Sequence, residues 1–146
     1  MKIEQFMTKF VVTVDIDDSL KVVKDIFDNV SFHHLFVVES GKLFGVISDR
    51  DLLKALSPYI GTINETTRDL SILNKKVSLI LTRNPVTLTT KSGIYDAIDV
   101  FNNYNISCIP IVDEERKLVG IISWRDILKT IAVMRTSYVN NVNAQA

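Results

Sequence analysis

"GVISDRDLLK", residues 45–54, returns as "GIISWRDILK", residues 120–129, and that repetition decides how the chain is read. Working outward, the register holds: "FHHLFVV" (32–38) lies over "ISCIPIV" (106–112), "DIFDN" (25–29) over "DVFNN" (99–103), and "VVTV" (11–14) over "PVTL" (85–88), all at an offset of 74. Past the turn the offset is 75, because "ESGK" has one residue fewer than "DEERK". The lead-ins repeat as well, "IEQFMTKF" (3–10) over "VSLILTRN" (77–84), with Thr8 over Thr82. A search for self-similarity thus divides the chain into repeat 1 (1–58), a linker (59–76), repeat 2 (77–134) and a flexible C-terminal tail (135–146).

Each copy predicts the order β-α-β-β-α. Val11 to Val14 is a short β-branched strand, and Asp18 or Ser19 caps a helix whose apolar positions Leu20, Val23, Ile26, Phe27 and Val30 follow helical spacing. "LFVV" and "LFGVIS" flank "ESGK", a hairpin signal. Ser48 or Asp49 then opens a helix through Leu56, which Ser57-Pro58 stops. In the second copy, Ser92 caps a helix through Tyr104, strands lie at "CIPIV" and "LVGIIS", and a helix runs from Trp124 to about Met134. A unit of roughly fifty residues buries too small a fraction of its surface to stand comfortably alone, so two βαββα repeats are expected to pack through their sheets. The fold class is mixed α/β, of the α+β kind.

Composition bounds the function. The chain has 146 residues, 47% of them hydrophobic and 23% charged, which is a folded rather than a disordered profile. Seventeen basic residues balance seventeen acidic ones, so neither nucleic acid nor an anionic membrane is expected as the main partner. The single cysteine, Cys108, forms no internal disulfide and points to a reducing compartment. No signal peptide opens the sequence and no run of about eighteen apolar residues exists, so the expected localisation is cytoplasmic, with no membrane role.

Two tandem βαββα units, each ending in Gly-hydrophobic-Ile-Ser-x-Arg-Asp at the last strand-to-helix junction, resemble a pair of cystathionine-β-synthase (CBS) domains, the assembly called a Bateman module. The lead-ins "MT…VVTV" and "LTRNPVTL" strengthen the match, which covers nearly the whole chain. The resemblance implies a pseudo-twofold disc, with clefts between the repeats that in many members bind AMP, ADP, ATP or S-adenosylmethionine. It also implies a homodimer, parallel or antiparallel. No bond is broken in such a cleft; the ligand shifts a conformational equilibrium that a partner reads. With no effector domain in the sequence, that partner is expected to be a separate protein.

The junction has a logic of its own. A Ser at a strand end and an Asp three residues on face a helix N-terminus, whose free N–H groups and dipole favour a phosphate. By similarity, Asp51 and Asp126 take the ribose hydroxyls, and Ser48 and Ser123 contact ribose or phosphate. The alternative is that these residues only cap their helices, a role worth ~1 kcal/mol. The two roles can coexist. Arg50 and Arg125 sit in first turns, where a cation is disfavoured unless an anion is near; alternatively they pair with Asp49 or another acid. Thr13 and Thr87, in the short first strands, match positions that present hydroxyl and backbone groups to base or ribose in the family, or are ordinary strand threonines. His33 and His34, with Ser107 and Cys108 in the second copy, match positions that face phosphate groups in the family; alternatively the histidines are satisfied, partly buried strand residues.

Two adjacent strand histidines diverge, so at most one addresses a given phosphate, and no metal site is expected. A Ser48-His33-Asp51 hydrolase triad is disfavoured: Ser48 lacks the Gly-x-Ser-x-Gly elbow, and repeat 2 has Ser123 and Asp126 but no histidine. No catalytic activity and no required cofactor are expected. The rival to a ligand sensor is a scaffold whose clefts are filled by side chains and whose function is dimerisation. Two differences make the copies unequal: Trp124 stands at the position of Asp49, and Phe36 at that of Pro110.

Overall fold

The computed structural model describes residues 1–145. Its elements are β1 (Thr13–Asp15), α1 (Leu20–Asn29), β2 (His34–Glu39), β3 (Lys42–Ser48), α2 (Asp49–Ala55), α3 (Thr67–Ser71), β4 (Thr82–Arg83), β5 (Leu88–Thr89), α4 (Ile94–Asn103), β6 (Cys108–Val112), β7 (Leu118–Ser123) and α5 (Trp124–Gln145). One sheet has the order β1-β2-β3-β4 and the other β5-β6-β7. In both, the first strand runs parallel to the second and the hairpin is antiparallel. The first hairpin turns at Ser40 (φ 52°) and Gly41 (φ 78°), the left-handed pair that matches the twist of the flanking strands.

Two compact units form, one of Val12–Pro85 and the other of Met1–Val11 together with the chain from Val86 onward. Each repeat's lead-in therefore belongs to the unit built on the other repeat's hairpin. In the first unit β4 adds to β3, with Thr82 opposite Val46; in the second, Thr8 bridges Ile121, its N–H donating to the Ile121 carbonyl at 2.8 Å. The cores show the same exchange. Leu20, Val23, Leu35, Val37, Ile47 and Leu52 form one core and their repeat partners Ile94, Ala97, Ile109, Ile111, Ile122 and Ile127 the other. The first core takes Val77 and the second takes Ile3, its repeat equivalent. Each is fully buried, a transfer worth ~1.5–3 kcal/mol per side chain.

The repeated glycine has its reason here. A Cβ on Gly45 would lie 2.6 Å from the Thr82 carbonyl oxygen, and one on Gly120 would lie 2.9 Å from that of Thr8. Only a residue without a side chain lets the lead-in cross so near the hairpin.

Several boundaries differ from the sequence reading. α4 is capped by Gly93 rather than Ser92: the Asp96 carboxylate accepts from the Gly93 N–H at 2.7 Å, while Ser92 Oγ accepts from Thr89 N–H at 3.1 Å. The linker contains α3, whose Thr66 cap and Asp69 close on each other, and Ser57 Oγ donates to Asp69 at 2.7 Å. α5 does not stop near Met134. It continues to Gln145, since no Pro or Gly interrupts it, and residues 135–145 of the expected tail are helical; residue 146 lies outside the described residues.

Candidate functional site

The hairpin register brings the candidate residues to one end of each sheet. His34 stands opposite Ser48, and Cys108 opposite Ser123. Directly opposed antiparallel residues share a face, so each serine has its neighbour across the ladder on the same side. Thr13 lies on the adjoining strand, opposite Phe36. Thr87, expected within a strand, instead precedes β5 by one residue.

At both junctions serine and aspartate clasp each other. Ser48 Oγ accepts from the Asp51 N–H at 3.0 Å, and Asp51 Oδ2 accepts from the Ser48 N–H at 3.0 Å. Ser123 and Asp126 repeat this at 3.2 and 2.8 Å. The capping role is thus real, and it uses one oxygen of each carboxylate. The other, Oδ1, makes no hydrogen bond among the described residues and is an acceptor at a half-buried position.

The two junctions differ in what surrounds the clasp. His33 lies just before β2 rather than on it, and its Nδ1 is 2.8 Å from Asp49 Oδ2. The Asp49 N–H donates to the His33 carbonyl at 2.9 Å, which ties the start of β2 to the start of α2. The side-chain hydrogen bond from the His33 imidazole holds the Asp49 carboxyl below its usual range. The sequence offers Asp49 as an ion-pair partner for Arg50; in the structure its side chain pairs with His33 instead. Among the described residues Arg50 and Arg125 make no ion pair, and both are exposed. His34 is half-buried and its pKa is lowered, chiefly by desolvation, against the opposing pull of Asp49.

In repeat 2, Ser107 and Trp124 take the places of His33 and Asp49, so both members of the pair are exchanged together. That paired difference was visible in the sequence as two separate mismatches. Cys108 is half-buried, and desolvation pushes its thiol up to about 11. Among the described residues no cluster suited to a metal ion occurs, and no helix is long and apolar enough to cross a membrane. A shallow depression of about 460 Å³ lies beside Val112 and Glu114, at the opposite end of the second hairpin from Ser123. Its three neighbouring acids, Asp113, Glu114 and Glu115, make it unsuited to a phosphate.

Comparison with known proteins agrees with this architecture. The CBS domain model matches residues 3–58 and 77–133. A CBS domain-containing protein of Dictyostelium discoideum is 34% identical over 86% of this chain and 88% of its own length. A homoserine O-acetyltransferase of Methanococcus vannielii is 29% identical over 90% of this chain, which spans only 25% of that enzyme. Among solved structures, the CBS domain pair of protein MJ0100, in complex with 5′-methylthioadenosine and S-adenosyl-L-methionine, superposes with a TM-score of 0.70 at 26% identity, covering 92% of this chain and 98% of that one. With the family model matched once on each repeat, the chain belongs to the CBS domain family as a tandem CBS pair.

Proposed function

We propose that this chain is a regulatory CBS-pair module that binds an adenosine-containing ligand, of the AMP, ADP, ATP or S-adenosylmethionine class, and signals its occupancy to a separate partner protein. The observation that carries the reading is the Ser-x-x-Asp clasp, built twice in register, in which each carboxylate keeps one oxygen available. A carboxylate oxygen accepts from vicinal ribose hydroxyls, and the serine and helix N–H groups beside it favour oxygen-rich, anionic groups. The ligands of the MJ0100 pair, both adenosine compounds, support that class. His33, His34, Arg50 and Thr13 in repeat 1, and Ser107, Cys108, Arg125 and Thr87 in repeat 2, are the further contacts of this reading. The module works without catalysis and without a required cofactor, in the cytoplasm and as a homodimer.

Thermal unfolding with AMP, ADP, ATP, S-adenosylmethionine and NAD tests the reading, since a ligand that binds only the folded state raises the melting temperature. Each ligand is run on the wild type and on Asp51→Ala and Asp126→Ala, every variant referred to its own ligand-free melting point so that loss of the cap does not count as loss of binding. A rise with one adenosine compound, abolished in one variant, is expected. No rise with any of them overturns the sensor reading in favour of the scaffold.

A further inference from the structure

α5 is three times as long as its repeat counterpart, 22 residues against the 7 of α2, and from Ile131 onward every described residue is exposed. That projecting stretch contains "TSYVNNVN" (136–143), residues of low helix propensity. Isolated helices of this length are marginal in water, and most helical stability comes from packing an apolar face. The face exists. Trp124, Leu128, Ile131, Tyr138 and Val142 are 49, 55, 47, 70 and 47% exposed, and with Arg135 they follow the 4-3-4-3-4 spacing of a coiled-coil seam. A shallow groove of about 590 Å³ flanks the middle of this seam, shared at Leu128, Ile131 and Arg135, where Ala132 leaves room between Leu128 and Val139.

We propose that this seam is covered by α5 of a second copy of the chain, the two helices running antiparallel. Charge and size argue for that occupant. Beyond Lys129 the helix carries one charge, Arg135, too few to hold an acidic partner or an anionic lipid surface. Covering the exposed parts of the seam on both copies would remove on the order of 1,200 Å² from water, the lower end of specific stable interfaces. A parallel pair would set Arg135 against Arg135. An antiparallel pair sets Trp124 against Val142, Leu128 against Tyr138 and Ile131 against Arg135, whose aliphatic stem covers the isoleucine while its head reaches water.

This inference rests on the homodimer of the proposed function and names its surface. Light scattering during size exclusion of the full chain is expected to give twice the 16.5 kDa chain mass. Val142→Glu and Tyr138→Glu, both on the projecting stretch, are expected to return it to one chain mass with unchanged circular dichroism of the sheets and an unchanged ligand response. Orientation is read in a Cys108→Ser background under mild oxidation. Trp124→Cys with Val142→Cys in one chain is expected to cross-link, whereas Val142→Cys alone is not, since antiparallel copies keep those positions roughly 27 Å apart. A wild-type monomer overturns dimer and seam together. A dimer that survives both glutamates overturns the seam alone. Cross-linking by the single variant, or by neither, overturns the antiparallel arrangement.

Discussion

His33 Nδ1 sits 2.8 Å from Asp49 Oδ2, and this pair closes repeat 1's junction in a way repeat 2 does not copy. The side chains are 74% and 42% exposed, so solvent screens the attraction. The expected cost of His33→Ala or Asp49→Ala is below about 1 kcal/mol in urea unfolding at pH 7. The sign of the pH effect follows from the lowered Asp49 carboxyl. Its stabilising part is present above the ordinary carboxyl value near 3.8 and is lost as pH falls through the lower folded value. Asp49→Asn should lack that acid-side loss, and equal acid sensitivity in wild type and variant would dismiss the pair as a contributor.

Gly45→Ala and Gly120→Ala are expected to destabilise by about 1–3 kcal/mol, the range for forcing an extra carbon into a packed site. Gly45→Ala should cost more. Its Cβ would meet the Thr82 backbone oxygen at 2.6 Å, whereas the nearest atom to one on Gly120 is the sulfur of Met7, at 2.7 Å, the end of a flexible side chain. Urea midpoints of the two variants check the ranking, and unchanged midpoints would mean that the lead-ins do not cross where the structure has them.

These glycines show where sequence reading reaches and where it stops. The repeat announced both hairpins, both junction helices and the Ser-x-x-Asp clasps, because strand alternation, turn residues and caps are local. Membership of the lead-ins was not local. Ile3 and Val77 are equivalent in the repeat, and nothing in either stretch says that each is buried in the other repeat's core. The His33–Asp49 pair was hidden for a related reason, since residues sixteen apart meet only through the hairpin. α5's length was legible in principle from the absence of a stop, but its polar Asn-rich end reads as a tail when no partner is in view.

Cys108 should behave as an inert thiol. With desolvation raising its pKa to about 11, almost none is thiolate at neutral pH, and the thiolate is the nucleophile. Iodoacetamide labelling of the native protein at pH 8 is expected to be far slower than labelling of the urea-unfolded chain. Its rate should climb steeply towards pH 11. Fast native labelling at pH 8 would mean that the thiol is exposed or activated by a neighbour.

His34 gives the chain a mild-acid liability. Burial on the face shared with Ser48 disfavours the imidazolium more than Asp49 and Asp51 favour it, so the folded pKa lies below 6.5. Between that lower value and 6.5 the unfolded chain binds more proton than the folded one, and acidification therefore favours unfolding. The penalty is absent above 6.5 and grows as pH falls through the window, reaching its full size below the folded value. Melting temperatures of wild type and His34→Gln between pH 5 and 7.5 are expected to converge at the alkaline end, apart from a constant offset. Towards pH 5 the wild type should fall more steeply. Parallel curves would place the imidazole in water, and a steeper fall in the variant would mean that the carboxylates win over burial.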